Sequence, residues 1–204
     1  MGPSPAEPPF TVRQYRRARA EVAPYARTIS VVAVVAIVWA VWASGPGWLT
    51  PVYVVFAVAG TALAVIDVRT HRLPNALVFP LDWATGALLT LAALGTGEWW
   101  ALGRAALGGL AAFALYQVFY RVTRRSRGIG YGDVKLSLSL GTILAWHSWS
   151  LLLTGIFATH LLATVVVIVL VLVRRSGWKA AIAFGPYMLL GTALALTWVR
   201  LTGW

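Results

Sequence analysis

Only six of the 204 residues carry a carboxylate, so each can be weighed singly. Glu7 and Glu21 fall in a proline- and arginine-rich N-terminal stretch, and Glu98 sits beside Trp99 in a short connection. All three read as solvated surface groups. Asp67, Asp82 and Asp133 instead fall at or inside long apolar runs, where ionisable groups are costly and often functional. Two carboxylates held close cannot both ionise easily and tend to share a proton. One can then deprotonate a water while the other protonates a carbonyl oxygen, which is the chemistry of amide hydrolysis by an aspartate pair. No serine–histidine set competes for that role. His71, His147 and His160 are scattered and read as interface or packing residues, and one histidine at position 71 is a thin basis for a metal site. With no cysteine there is no disulfide, no thiolate zinc site and no cysteine nucleophile. Neither metal nor cofactor is expected.

The neighbourhoods of the acids carry more information than the acids alone. Asp67 opens Asp67-Val-Arg-Thr-His-Arg-Leu73-Pro74-Asn75 at the end of an apolar run. A surface acid paired with Arg69 or Arg72 is its bland reading. Pro74 cannot continue a helix from before it, and Asn75 can cap the next one. Asp133 closes Gly128-Ile-Gly130-Tyr-Gly132-Asp133 and is followed by Val134-Lys135. Its glycines permit close backbone approaches, but their spacing fits neither a phosphate loop nor a dinucleotide fingerprint. Taken alone, Asp133 has a simpler reading as the N-cap of the fifth helix. Asp82 lies about two turns inside the third run, deep enough to need a partner, either a helix-bridging hydrogen bond or Arg72.

The elements that must position these acids are membrane helices. The chain is 59% hydrophobic and 11% charged with a mean hydropathy of +0.76, against about a quarter charged residues in a soluble domain. Seven apolar runs predict spans at 28–44, 50–66, 76–95, 101–121, 134–149, 150–173 and 180–199. The fold class is thus an all-α polytopic bundle. Residues 1–26 read as a disordered basic cytoplasmic tail, 27–49 as an N-terminal anchor and 50–204 as a six-helix domain. Val41 and Ala43 would permit signal cleavage after Ala43, but the long basic region and Trp42 favour a retained anchor. With the N-terminus in the cytoplasm, all of the 17 cations except Arg104 and Arg200 fall inside, which is the positive-inside bias. That places the C-terminus outside, and Trp42, Trp48, Trp99, Trp100, Trp146, Trp149, Trp198 and Trp204 near outer helix ends. The net charge of +11 then meets anionic lipid heads of a bacterial plasma membrane, and no nucleic-acid role is implied.

With these residues in place, the chain resembles the type IV prepilin peptidases, polytopic aspartic peptidases with a Gly-x-Gly-Asp motif. The likeness rests on Gly130-Tyr-Gly132-Asp133 with Val134-Lys135, on Asp67 with Leu73-Pro74-Asn75, and on Phe184-Gly185-Pro186-Tyr187. It spans roughly residues 50–199 and implies that Asp67 and Asp133 are the catalytic pair. It also implies a prepilin-like or pseudopilin precursor as substrate, cut between its basic leader and its mature hydrophobic helix at the cytoplasmic face, with pilus-assembly machinery as a further partner. Bifunctional members carry a cysteine-rich insert and methylate the new N-terminus. Here the corresponding stretch is only Ser44-Gly-Pro-Gly-Trp-Leu-Thr-Pro51, so the chain looks like the small peptidase-only members. Ala183 stands where proline is expected before Phe184. A small proton-coupled transporter and a presenilin-like intramembrane protease are the alternative readings. Neither the Tyr-Asp nor the Pro-Ala-Leu of the latter is present. Gly185-Pro186 is expected to interrupt the last span, and the direction of the two helices alone would leave a shared proton mainly on Asp67.

Overall fold

The computed structural model describes residues 16, 19–20, 22–123, 129–174 and 183–203. Most of the basic tail, the cations Arg124, Arg125, Arg127, Arg175 and Lys179, and Trp204 lie outside these residues. Among them a short 3₁₀ turn at Ala23–Tyr25 leads into seven helices. These are α1 (Ala26–Ser44), α2 (Thr50–Thr70), α3 (Asn75–Thr96), α4 (Trp99–Thr123), α5 (Tyr131–His147), α6 (Trp149–Arg174) and α7 (Gly185–Thr202). The seven expected runs are all present, with ends displaced by a few residues. The largest shift is in the last one, which starts at Gly185 instead of 180. Gly185 and Pro186 therefore begin α7 and do not interrupt a longer helix. Proline at the second helical position loses no intrahelical bond, because its N–H would have been an orphan there anyway.

Among the described residues five helices, α1 to α4 and α6, are long and apolar enough to cross a membrane. At 17 residues α5 is shorter, about 26 Å at the helical rise, and the others enclose it. It packs on α3, α4, α6 and α7. Its contact with α4 is close because both faces carry small residues. A Cβ on Gly141 would lie 2.6 Å from that of Ala112, and one on Gly108 would lie 2.1 Å from that of Ala145. Without a hydrophobic drive between helices in lipid, such close backbone approach is what holds them. The outside of the bundle is apolar: Val31, Val34, Val35, Val38, Leu107 and Leu172 are all exposed. A surface of that kind would aggregate in water and suits a multi-pass membrane protein.

Hydrogen bonds show which helix ends share a level. At one end Tyr53 near the start of α2 meets His147 at the end of α5, its hydroxyl 2.9 Å from Nε2. Arg104, near the start of α4, donates to the carbonyls of Ala145, Trp146 and His147. Arg200 approaches Gly45 at the same end. The opposite end gathers Asp67, Asn75, Lys135 and Gly185. The two exceptional cations thus sit at the end away from Asp67.

Candidate active site

Asp67 lies in the last turn of α2, which His71 closes. His71 donates its N–H to the Asp67 carbonyl at 2.7 Å and adopts a left-handed φ of 51°. That conformation is uncommon for a residue with a Cβ, and it turns the chain sharply so that Leu73 folds back beneath the helix end. Pro74, extended at ψ 128°, then becomes the N-cap of α3. Asn75 does not cap, contrary to expectation: it is already the first helical residue, and its Oδ1 accepts from Lys135 Nζ at 2.8 Å. The proline one position earlier supplies the extended backbone that a cap requires, so the amide is released to bridge α3 to α5.

Asp133 is the third residue of α5. Gly130, not Asp133, is the N-cap, and its N–H donates to Asp133 Oδ2 at 2.8 Å. Asp133 is therefore not the N-cap that its place before the fifth run suggested; it sits inside the helix and its carboxylate takes the N–H of the N-cap Gly130. On the other side of the site the N–H of Gly185, first residue of α7, donates to Asp67 Oδ2 at 3.0 Å. Both carboxylates therefore accept an N–H at a helix N-terminus, where the backbone favours negative charge. The direction of α2 and α5 alone does not separate them, because α7 supplies a second dipole to Asp67.

Leu73 is the common neighbour. A Cβ on Gly132 would stand 2.7 Å from Leu73 Cβ, and one on Gly185 would stand 3.2 Å from Leu73 Cδ2 and 2.8 Å from Asp67 Oδ2. Two glycines without side chains let three helix ends close around one leucine. Asp67 and Asp133 are 4% and 6% exposed and lie within electrostatic reach of one another. Each has one oxygen fixed by a backbone N–H and the other without a hydrogen-bond partner among the described residues. Two buried carboxyl groups, each with one oxygen left unbonded among the described residues, leave acceptors that a water molecule could meet.

Six of the residues singled out from sequence thus converge: Asp67, Leu73, Gly130, Gly132, Asp133 and Gly185. Pro74 and Asn75 shape the adjoining turn. Lys135 reaches Asn75 and the rings of Phe79 and Tyr131, each 4.9 Å away, so it braces α3 against α5. Pro186 lines a groove next to the site. Asp82 makes a helix-bridging bond, accepting from the Ser139 hydroxyl on α5. Among the described residues no cluster of three metal-ligating side chains occurs, and His147 and His160 do other work. His147 pairs with Tyr53, and His160 lies against Tyr116, Phe119 and Phe184 while its Nδ1 donates to the Ile156 carbonyl. Tyr116, which sequence reasoning missed, is buried with its ring against Phe184 and lies within electrostatic reach of Asp133. Nothing in the spacing of α4 marks it out from the aromatic residues beside it.

A bundle of apolar helices with two buried aspartates near one end is the architecture of a multi-pass membrane protein. Residues 52–199 match the type IV leader peptidase family, and the chain belongs to that family. It is 34% identical over 157 residues to a prepilin leader peptidase/N-methyltransferase of Aeromonas salmonicida, covering 75% of this chain and 51% of that protein. The similarly named protein of Stutzerimonas stutzeri is 32% identical over 154 residues, 76% and 52% of the two chains. Leader peptidase HopD of Escherichia coli is 31% identical over 143 residues, 68% of this chain and 86% of that one. The chain spans about half the length of the two bifunctional relatives. No solved structure matches it.

Proposed function

We propose that this chain is a membrane aspartic endopeptidase that removes the basic leader from prepilin-like or pseudopilin precursors at the cytoplasmic membrane face. The observation that carries the reading is the closure of α2, α5 and α7 around Leu73, which gathers Asp67 and Asp133 in one buried site. In this mechanism one aspartate, ionised, takes a proton from a water held between the pair. The resulting hydroxide attacks the scissile carbonyl while the other aspartate, protonated, gives its proton to the carbonyl oxygen. As the tetrahedral intermediate collapses, the first aspartate gives its new proton to the departing amine. A hydroxyl of the intermediate returns its proton to the second, so the pair ends with one proton as it began. The distribution of cations supports an N-terminus in the cytoplasm and a C-terminus outside. The site then opens where a basic leader is made. The bilayer and the pilus-assembly machinery are the surroundings this reading implies.

Co-expression with a short pilin-like precursor tests it. The expected result is a mobility shift of the precursor that depends on this chain and is lost with Asp67→Ala or Asp133→Ala. A precursor processed equally by the parent and both variants removes the reading.

A further inference from the structure

A cavity of about 20 Å³ lies between α4, α5, α6 and α7, and a single water needs roughly 10–15 Å³. Its wall is mostly apolar, but each of the four helices contributes one hydroxyl: Tyr116, Ser137, Thr159 and Thr192. All four residues are buried, between 1% and 3% exposed. No charged side chain lines the cavity, so an ion there would go uncompensated.

The hydroxyls divide into two kinds. Ser137 donates to the Val134 carbonyl at 2.7 Å and Thr159 to the Gly155 carbonyl at 2.9 Å, so toward the cavity their oxygens can only accept. Tyr116 and Thr192 have no hydrogen-bond partner among the described residues, and neither hydroxyl is sealed in as that of Thr85 is. Thr192 departs here from Thr142, Thr154 and Thr197, which each donate to the carbonyl four residues back. Two donors in want of acceptors and two oxygens able to accept are the complement of one water, which has two lone pairs and two protons. Left unpaired in the interior of a membrane bundle, such hydroxyls would be costly.

The same residues connect to the aspartates. Ser137 follows Asp133 by one turn of α5. The Tyr116 ring lies 6.2 Å from that of Phe184. Phe184 is the N-cap of α7, and the next residue, Gly185, donates its N–H to Asp67. Thr192 lies two turns further along α7.

We propose that this cavity binds one water, which accepts from Tyr116 and Thr192 and donates to Ser137 and Thr159, and that Tyr116 is thereby a positioning residue for the aspartate pair. The water joins four helices behind the site and sets the spacing between α5, which carries Asp133, and α7, whose N-terminus holds Asp67. Its part in catalysis rests on the peptidase reading above; the water site itself does not.

A map of the parent protein that resolves waters should show one peak within hydrogen-bonding distance, about 2.7–3.2 Å, of the Tyr116 and Thr192 hydroxyls. A cavity without that peak overturns the site. Tyr116→Phe and Thr192→Val keep the shape of the side chain and remove the donor. Each should lower kcat per folded molecule about 3- to 10-fold, as a shift of a few tenths of an ångström would, with KM within about twofold of the parent. The double variant should fall no further than the lower single, because either change already breaks the bridge. Parental kcat in either single variant, or losses that multiply in the double, removes the positioning role. The peak in a parent that cleaves no precursor keeps the water and removes the peptidase reading. Cleavage by a parent without the peak does the reverse.

Discussion

Each of the two central aspartates is more than nine-tenths buried, yet neither is paired with a cation within salt-bridge distance among the described residues. Arg69 and Arg72, the partners a surface acid would have taken, are exposed. What each carboxylate has is a single backbone N–H and a free oxygen, an arrangement suited to holding water and of little use as a structural tie. Asp67→Asn and Asp133→Asn should each lower kcat at least about 10³-fold, because among the described residues no other carboxylate meets the pair and positioned acid–base catalysis is worth roughly 10²- to 10⁴-fold. Both should insert and melt in detergent as the parent does; residual cleavage within a few-fold of the parent in either one would remove its role. Gly185 makes a finer test. An added Cβ would sit 2.8 Å from Asp67 Oδ2, so Gly185→Ala must push the carboxylate aside by a few tenths of an ångström. About a 10-fold loss in kcat is expected, since displacement by a full ångström can cost about 10²-fold. Unchanged kcat in a folded Gly185→Ala protein would show that the position of Asp67 is not critical.

At the level of the elements, α5 is fixed from both ends by side chains from its neighbours. Near the site Asp82, Phe79 and Asn75, spaced along one face of α3, meet Ser139 and Lys135 of α5. At the far end Arg104 bonds three carbonyls in the last turn of α5, exactly the groups a helix C-terminus leaves unpaired. Ser139→Ala strands a half-buried carboxylate and should destabilise the bundle by about 2 kcal/mol, with activity per folded molecule within about threefold of the parent. Asp82→Asn should likewise affect stability or expression more than rate. An Asp82→Asn protein as stable as the parent yet inactive would move Asp82 into the catalytic site. Arg104→Gln loses charge-assisted bonds at a helix C-terminus, for about 2 kcal/mol, and should lower the melting temperature in detergent while leaving KM alone. A melting temperature equal to the parent's would mean that water or lipid satisfies those carbonyls as well as Arg104 does.

The described residues form one helical bundle with Asp67 and Asp133 near one end, Arg104 and His147 at the other, and a largely apolar exterior between the two. The absence of cysteine and the short Ser44–Pro51 connection lead to a further expectation: this chain cleaves without transferring a methyl group. Mass spectrometry of the processed precursor's new N-terminus, with S-adenosylmethionine supplied, should find the unmodified mass. One added methyl group that depends on this chain would overturn the expectation.

Helix number, class and approximate bounds were legible in the sequence because each span must satisfy its own backbone in lipid. A run of about 20 apolar residues therefore declares itself without reference to the rest of the chain. Asp67 and Asp133 were legible too, since so few acids occur and those two sit where charge is costly. Gly108, Gly109, Ala112 and Gly141 meet in a close contact between α4 and α5. What the sequence could not show is how ends remote along the chain meet. That Gly185 bonds Asp67 across 118 positions, that Lys135 takes Asn75 away from capping, and that Arg104 caps a helix 41 positions onward all depend on which helices become neighbours. Nor could the direction of α2 and α5 reveal that α7 brings its own N-terminus to Asp67. Local hydropathy fixes the helices one by one, whereas the site is made of contacts between helices, and only their packing decides those.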